Sequence, residues 1–421
     1  MATTAADRLA KYTASLLGGA LPVGLRTWDG GRAGPRDGPV VVLKNRRALR
    51  RLLYAPGELG LARAYVSGDL DVEGDLTEGF RRVWALNRSG SSVHRGPKNW
   101  AGALKLAAGL GVLGPPPAPP AEEARLTGKR HSLLRDRSAI AHHYDLSNAF
   151  YQLLMDESMA YSSGYWTSEA PGYGIAQAQW DKLEMVCGKL GLKPGMRLLD
   201  VGCGWGSLLV HAAKHHGVDA VGVTLSAQQL QHIRSRVAAL DLEDRVEVRR
   251  QDYRELIDPP FDAVASIEMG EHVGDENYPA YADVLHRMLR PGGRLVLQQM
   301  SRGAVAPGGG AFIERYIAPD MTMRPVSATL GHLERAGFEI RDVHAMREHY
   351  PRTVRAWAET LEARWDDVVA LIGEAGARVW RLYLAGGALA FEENRMGVDQ
   401  VVAAKPTASG ASGMPATRDW P

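Results

Sequence analysis

The chain has 421 residues, enough for two domains, and its 45% hydrophobic and 23% charged residues are ordinary for a folded protein. The formal net charge of +2 gives no electrostatic reason to expect a nucleic-acid partner. Cys187 and Cys203 are the two cysteines, which excludes a disulfide framework and indicates a reducing compartment. Because no run of about 18 apolar residues occurs, we expect no transmembrane helix and predict a cytoplasmic protein.

Residues 1–110 contain mixed short elements and are expected to form a smaller N-terminal α+β domain. Within them "VVLKNRRALRR" (41–51) is a basic cluster of the kind that attracts anionic phospholipid headgroups. The stretch "NWAGALKLAAGLGVLG" (99–114) can lie in a membrane interface, with Trp100 as its anchor. A solvated helix face and a core helix are the respective alternatives. The cations of the basic cluster are Lys44, Arg46, Arg47, Arg50 and Arg51.

Prolines mark the clearest boundary of the chain, in "GVLGPPPAPPAEEARLTGKR" (111–130). They cannot sustain a helix or a central strand and favour a stiff extended segment, so we predict a linker over 111–135. The main domain is then expected over 136–405. The tail 406–421 is small, polar and rich in Gly and Pro, which predicts disorder.

Strand and helix patterns alternate from about 174 to 301. Short aliphatic runs end in turn residues and are separated by helical stretches of 10 to 15 residues. This alternation predicts βαβ units, an α/β fold and a mostly parallel sheet. The strand runs are "MRLLDVG", "DAVGVTL", "RVEVRRQDY", "FDAVASIEM" and "GGRLVLQQM".

A glycine turn follows the first of these strands, in "LLDVGCGWG" (198–206), which holds Gly202, Gly204 and Gly206. Such a turn brings backbone amides and a helix N-terminus close to a ligand. The dinucleotide version needs G-x-G-x-x-G and an acid after the second strand, and neither occurs here. We therefore predict S-adenosylmethionine (SAM), with Asp200 receiving its ammonium group and Asp252 its adenine amino group.

Five further stretches, together with the glycine turn, resemble the cyclopropane-fatty-acid synthase family, which also contains mycolic-acid methyltransferases. The similarity runs from about His142 to Val402, and "ELGLARAYVSGDLDVEGDL" (58–76) resembles the N-terminal domain of phospholipid-modifying members. The resemblance implies a Rossmann-like SAM-dependent methyltransferase domain. The stretches are "HYDLSNAFYQLLMDESMAYSSGYW" (143–166), "VGVTLSAQQL" (221–230), "IEMGEHVGDENYPAY" (267–281), "REHYPRTVRAW" (347–357) and "VWRLYLAGGALAFEENRMGVDQ" (379–400).

The resemblance also implies which residues contact SAM. Gln229 would take the ribose role that an acid plays in many other methyltransferases, which accounts for the strand end without an acid. The implied contacts are Tyr161, Ser162, Gly202, Gly204, Thr224, Leu225, Gln229, Asp252, Glu271 and His272.

The family's active site holds a bicarbonate ion as proton acceptor, in a pocket of cysteine, glutamate, histidine, isoleucine and tyrosine. Glu271 and Tyr350 match this pattern. Ser163 stands at the cysteine position, Gln298 at the histidine position and Met300 at the isoleucine position. Three departures out of five argue against a bound bicarbonate.

The implied reaction is methylation of a double bond in an unsaturated phospholipid acyl chain, through a carbocation. Prompt proton removal closes a cyclopropane ring, whereas a slower base permits a 1,2-hydride shift and gives a methylene branch. Ser163 and Gln298 favour the second route, so a 10-methylene product is predicted, with a separate reductase needed afterwards. A cyclopropane synthase remains the alternative, and a catalytically inactive lipid- and SAM-binding protein the lower one.

Four aromatic side chains are candidates for shielding the cation, and each can equally be core: Tyr161, Tyr165, Trp166 and Tyr350. By family analogy the chain is expected to form a homodimer and to associate peripherally with the inner membrane surface. His142 and His143 lack further ligands at metal spacing, so no metal site is predicted. A nucleic-acid methyltransferase is disfavoured because "IEMGEHVG" stands where a base-reading loop would follow the fourth strand.

Overall fold

A computed structural model describes residues 3–88, 97–124, 128, 130–132, 135–136, 147–304, 310–418 and 420. His142 and His143 lie outside these residues. No helix in the described ranges is long and apolar enough to cross a membrane. Two compact units are formed, by Met1–Glu123 with Gly309–Tyr316 and Trp365–Leu389, and by Ala124–Gly308 with Ile317–Arg364 and Ala390–Pro421.

The first unit combines short strands with helices, as predicted for residues 1–110. Its first helix is capped by Thr4, which forms a capping box with Asp7, and the next is capped by Asn45, whose side chain accepts from the Arg47 amide. The elements are β1 (Gly24–Thr27), β2 (Arg32–Ala33), β3 (Val40–Leu43), β4 (Leu70–Glu73), α1 (Ala5–Leu17), α2 (Arg46–Tyr54), α3 (Glu58–Val66), α4 (Leu76–Arg88) and α5 (Pro97–Gly109). The strand order is β2–β1–β3–β4, with β1 and β3 parallel and the outer pairs antiparallel.

The basic cluster 41–51 lies at the end of β3 and along α2. Arg51 is buried and its Nε donates to Asp69 at 2.9 Å, while Arg50 Nε donates to the Val112 carbonyl at 2.8 Å. Arg47 also pairs with Asp69, but its side chain remains 63% exposed. Arg50 and Arg51 therefore form hydrogen bonds within the unit. The predicted contact of the basic cluster with phospholipid headgroups stays a prediction.

The second unit contains a seven-stranded sheet with helices on its faces. The strands are β5 (Arg197–Val201), β6 (Asp219–Thr224), β7 (Val246–Arg250), β8 (Phe261–Ile267), β9 (Leu289–Ser301), β10 (Glu339–Ala345) and β11 (Gly397–Ala404). The helices are α6 (Asn148–Leu154), α7 (Ile175–Leu190), α8 (Ser207–His216), α9 (Ala227–Ala239), α10 (Tyr278–Met288), α11 (Val326–Arg335) and α12 (His349–Ala363). Short helical turns occupy Tyr253–Glu255, Gly270–His272, Gly310–Phe312 and Ile313–Ile317, and α13 (Trp365–Glu392), which lies mainly in the first unit, is interrupted at Gly373.

The strand order is β10–β11–β9–β8–β5–β6–β7. Strands β7, β6, β5, β8 and β9 are parallel, and β11 runs antiparallel between β9 and β10. This is the mostly parallel sheet that the alternation predicted, and its order is the Rossmann-like one that the resemblance implied. The chain leaves β5 toward β6 on one side and later returns to β8 on the other, so the carboxyl ends of β5 and β8 flank a topological switch point.

Two apolar layers cover the sheet, one on each face. Successive strand residues point to opposite faces, so Leu198 belongs to one layer and Leu199 to the other, and both are fully buried. Burial on both faces explains why β5 reads as a continuous aliphatic run. The charged and glycine residues that follow each strand are thereby left for the sheet edge, where a ligand can reach them.

The described part of the tail, 406–418 and 420, contacts the second unit. Arg418 pairs with Asp342 of β10, and the Arg294 guanidinium lies 5.8 Å from the centroid of the Trp420 ring. Trp420 is 9% exposed. The segment expected to be disordered thus supplies one buried aromatic side chain.

Candidate functional site

The glycine turn lies between β5 and α8. Gly202 has φ 81°, and a Cβ there would come within 2.4 Å of the Met269 side chain, so both backbone conformation and space require glycine. Its amide donates to the Val223 carbonyl at 3.0 Å, which ties the turn to β6. Asp200, at the end of β5, is buried, and its Oδ1 has no hydrogen-bond partner among the described residues. Burial raises the pKa of Asp200 to about 7.

The ends of β6 and β7 carry the next predicted contacts. Thr224 Oγ1 donates to Gln229 Oε1 at 2.6 Å. The NH2 group is therefore the part of the Gln229 side chain that can donate to a ligand. Asp252 receives Arg254 Nε and Nη2, each at 2.7 Å, and Arg254 also donates to Asp136 at 2.9 Å. Sequence reasoning missed this arginine, which orients the carboxylate of Asp252.

One cleft brings most of the predicted SAM residues together at the carboxyl edge of the sheet. Glu268, Met269 and Arg254, which sequence reasoning did not select, also line it. Tyr161, Ser162, Asp200, Gly206 and Glu271 do not line this cleft. The predicted residues that line it are Gly202, Gly204, Thr224, Leu225, Gln229, Asp252 and His272. Burial lowers the pKa of His272 to about 4, so this ring is neutral at physiological pH.

The segment 161–166 packs behind the cleft. The Tyr161 ring stacks on Trp357 with centroids 5.3 Å apart, and Ser162 Oγ accepts from Lys182 Nζ at 3.0 Å. Trp166 donates from Nε1 to Thr353 at 3.0 Å and carries the Arg352 guanidinium over its ring. These contacts hold the segment in place and give Trp166 a packing role.

Glu268 is the centre of a hydrogen-bond cluster that sequence reasoning missed. It directly follows β8, and its φ of +52° is unusual for a residue with a side chain. Its Oε1 accepts from the Ser163 amide at 3.1 Å and from Gln298 Nε2 at 2.7 Å, and its Oε2 accepts from the Tyr350 hydroxyl at 2.7 Å. Burial raises the pKa of Glu268, and the donors from Tyr350, Ser163 and Gln298 oppose that rise.

A buried relay orients Gln298. Lys189 Nζ donates to Gln400 Oε1 at 2.8 Å, and Gln400 Nε2 donates to Gln298 Oε1 at 2.7 Å. An ammonium group can only donate, so the oxygen of the Gln400 amide must face Lys189. The NH2 group of Gln400 then faces the oxygen of the Gln298 amide. The Gln298 NH2 group must therefore face Glu268. Burial lowers the pKa of Lys189 to about 8.

Glu271, the predicted catalytic glutamate, is fully buried in the turn Gly270–His272. Its Oε1 accepts from the amide of Met300, and its Oε2 has no hydrogen-bond partner among the described residues. Burial and the neighbouring Glu268 raise the pKa of Glu271 to about 8. This direction favours the protonated form of Glu271, and Met300 contributes a backbone amide to it.

The residues do not fit a bicarbonate. The Ser163 hydroxyl donates to the Gly164 carbonyl at 3.0 Å, and the Ser163 amide, Gln298 and Tyr350 all donate to Glu268. The donors that would hold the anion are thus occupied by a carboxylate of the protein. A bicarbonate beside that carboxylate would also add a second negative charge in a partly buried place.

Among the described residues, one group of side chains could together bind a metal ion: Cys187, His211 and His216. Glu184 Oε1 lies 2.6 Å from His211 Nε2 and 3.3 Å from His216 Nε2, so this carboxylate engages both rings. Burial raises the pKa of the Cys187 thiol, which disfavours the thiolate that a metal requires. Hydrogen bonding accounts for the grouping.

Comparison with known proteins agrees with this geometry. Residues 131–401 match the family model described as mycolic acid cyclopropane synthetase. The chain is 36% identical over 425 residues to a probable fatty acid methyltransferase of Mycobacterium tuberculosis, covering 99% of this chain and 97% of that protein. It is 31% identical over 408 residues to a tuberculostearic acid methyltransferase of the same species, covering 94% and 90%.

A solved structure is similar to a large part of the chain. It is the mycolic acid cyclopropane synthase CmaA1 complexed with SAH and CTAB, with a TM-score of 0.59 and 30% identity, covering 63% of this chain and 97% of that chain. A glycine turn at the switch point, a cleft at the carboxyl ends of the strands and this likeness all agree. The chain belongs to the mycolic acid cyclopropane synthetase family, whose members are SAM-dependent fatty acyl methyltransferases and cyclopropane synthases.

Proposed function

We propose that the protein methylates the double bond of an unsaturated phospholipid acyl chain and releases a 10-methylene acyl chain. The observation that carries the product assignment is Glu268, a carboxylate beside the cleft that shares its lone pairs with the donors of Ser163, Gln298 and Tyr350. The likeness to a tuberculostearic acid methyltransferase supports the same assignment.

The residues of the cleft fit SAM. Asp200, in β5 just before the glycine turn, offers a buried Oδ1 to an ammonium group. In the cleft, Gln229 offers the NH2 group of its side chain to a ribose, and Asp252 offers its carboxylate to an adenine amino group. The glycine turn and the start of α8 provide backbone amides. When bound, SAM supplies an electrophilic methyl group on a sulfonium sulfur.

The protein then has to manage a carbocation on the acyl chain. The Tyr350 ring stacks on Phe391 with centroids 4.1 Å apart, so its hydroxyl is held at Glu268 by a rigid aromatic pair. Aromatic faces stabilise cations and exclude water from them. Tyr350 therefore serves both as a wall of the reaction site and as a partner of the carboxylate.

Timing decides between the two products. In both routes the proton leaves the newly added methyl group. If it leaves at once, a cyclopropane ring closes; if a 1,2-hydride shift on the acyl chain comes first, a methylene branch forms. Donors that share the lone pairs of a base lower its basicity and slow proton removal. The three donors on Glu268 thus favour the shift and a methylene branch. Cyclopropane formation is the second candidate, favoured by the likeness to a cyclopropane synthase structure.

Access to the substrate is proposed to occur at the cytoplasmic surface of a phospholipid membrane. Trp100 and Leu104, one helical turn apart on α5, are 45% and 49% exposed. Exposed aromatic and aliphatic side chains on one helix face are typical of interfacial binding. A homodimer and a separate reductase that converts the methylene group to a methyl branch complete the proposal.

A product analysis tests the proposal. Purified protein is incubated with SAM and vesicles of oleoyl phospholipid, and the released fatty methyl esters are separated by gas chromatography and examined by proton NMR. Vinylidene protons support the methylene product. High-field ring protons identify a cyclopropane synthase instead, and binding of SAM without any product identifies an inactive lipid-binding protein.

A further inference from the structure

We infer that Glu268 is the proton acceptor of the reaction and that its carboxylate takes the place of a bicarbonate ion. This inference rests on the proposed function and names the base within it. Glu268 lines the cleft that gathers the SAM residues, so it stands where the cofactor would bind. The donors of Ser163, Gln298 and Tyr350 converge on it.

Three hydrogen-bond donors favour the ionised form of Glu268, in opposition to the burial that raises its pKa. The relay from Lys189 through Gln400 fixes the Gln298 NH2 group toward Oε1. Burial and the neighbouring Glu268 raise the pKa of Glu271 to about 8, which favours its protonated form. Of the two carboxyl groups, Glu268 is the one with three donors, which favour its ionised form over that of Glu271.

The backbone also indicates a functional placement. Glu268 has φ +52°, and its amide donates to the Gln298 carbonyl at 2.7 Å, so a strained conformation is held in place by β9. Side-chain-bearing residues keep such a conformation where the surrounding structure imposes it, and they cluster at active sites. The strain turns the side chain of a strand-end residue toward Gln298 and Tyr350.

The geometry assigns the proton to Oε2. Two groups that can only donate, the Ser163 amide and the Gln298 NH2 group, face Oε1. The Tyr350 hydroxyl faces Oε2, and it can rotate from donor to acceptor when Oε2 becomes protonated. In the step, a C–H bond of the new methyl group breaks and its electron pair forms the carbon–carbon bond that neutralises the cation. The proton moves to Oε2 and later leaves to solvent through the cleft.

The test uses the full-length protein and the variants Glu268→Gln and Glu268→Ala. The matched control is Glu276→Gln, which changes an exposed glutamate eight residues further along the chain. Turnover with SAM and oleoyl phospholipid vesicles is measured in bicarbonate-free buffer, with and without added formate or bicarbonate. SAH affinity and bicarbonate binding are measured by calorimetry, which reports on the site without turnover.

We expect both Glu268 variants to lose about 100-fold or more in turnover, the range that a general base contributes. SAH affinity should stay within about threefold of wild type, which separates loss of the base from loss of cofactor binding. Formate or bicarbonate should restore part of the turnover of Glu268→Ala, because a small carboxylate can enter the vacated space. Wild type should give no heat with bicarbonate.

Several results would overturn the inference while leaving methylation of the acyl chain intact. They are wild-type turnover that depends on bicarbonate, saturable bicarbonate binding by wild type, or undiminished turnover of Glu268→Ala. If Glu268→Ala melts early, Glu268→Gln keeps the shape of the side chain and carries the comparison. Absence of any product from wild type contradicts the proposed function itself, and the bicarbonate titration still tests whether Glu268 occupies the place of the anion.

Discussion

The amide nitrogen of Gln298 lies 2.7 Å from Oε1 of Glu268, and this hydrogen bond joins β9 to the residue that follows β8. The family resemblance implied a histidine beside a free anion at position 298. The chain has a glutamine there instead, and its side-chain amide donates to the carboxylate of Glu268. The basicity of Glu268 therefore depends on the fold, because the sheet holds both Glu268 and Gln298 in place. Its strength can be changed by substituting either residue.

Gln298→Met is expected to shift the product ratio toward the cyclopropane ring. The change removes one donor from Glu268, which makes the carboxylate a stronger base and lets it remove the proton before the hydride shift. It also leaves the buried NH2 group of Gln400 without its acceptor, which should cost about 1–3 kcal/mol of unfolding free energy. Chromatography of the esters and urea denaturation measure the two effects. Gln228→Met, at an exposed position, should change neither, and an unaltered product ratio in Gln298→Met would contradict the timing argument.

Lys189→Met is expected to act on Glu268 from a distance. Lys189 is fully buried and orients Gln400, so its loss should cost about 1–3 kcal/mol of stability and free the two amides to turn. Glu268 would then be less stabilised as an anion, and the acidic limb of the kcat profile should move to higher pH while KM stays the same. Lys193→Met, on the surface, is the control. A lower Tm with an unmoved pH profile would reduce Lys189 to a structural role.

Stability should depend on pH through Glu271. Its pKa is raised in the folded protein to about 8, so the fold binds its proton more tightly than the unfolded chain does. The contribution is fully present below the ordinary pKa of a glutamate and is lost as pH rises toward 8. Glu271→Gln mimics the neutral acid, so its unfolding free energy should fall less than that of wild type between pH 5 and pH 8. Urea denaturation at both pH values measures this, and parallel losses in the two proteins would argue against a protonated Glu271.

Asp200→Asn should weaken SAH binding by about tenfold or more, because a buried carboxylate can pair with an ammonium group and an amide cannot. Burial raises the pKa of Asp200 to about 7, so wild-type affinity should increase between pH 6 and pH 8 as the carboxylate ionises. The variant should lack this increase. Calorimetry at the two pH values decides the matter, with the exposed Asp244→Asn as the control. Equal pH dependence in both proteins would remove Asp200 from the binding site.

Trp100→Ser combined with Leu104→Ser should reduce binding to anionic phospholipid vesicles by about tenfold or more, since each large apolar side chain contributes roughly 1.5–3 kcal/mol when buried. Flotation with vesicles measures the binding. SAH affinity should be unaffected. The comparison variant is Leu371→Ser, an exposed leucine in α13, and retention of vesicle binding by the Trp100 and Leu104 variant would contradict the proposed interfacial role of α5.

The sequence by itself determined the five parallel strands of the sheet and most of the cofactor cleft. In a parallel α/β sheet the residues after each strand meet at one edge, so chain order alone brings Gly202, Thr224 and Asp252 together. Aliphatic runs and glycine spacing are local signals, and they identify those positions without a structure. The matching of five stretches added the implied positions of Ser163, Gln298 and Tyr350.

Only the tertiary structure decided which of two glutamates gathers the hydrogen-bond donors. "IEMGEH" offers Glu268 and Glu271 three residues apart, and the strained backbone at Glu268 directs one to the donors while the turn buries the other. The relay that orients Gln298 joins Lys189 to Gln400 across 211 residues. Contacts between polar side chains so far apart follow from strand pairing and packing, and no local pattern in the chain indicates them.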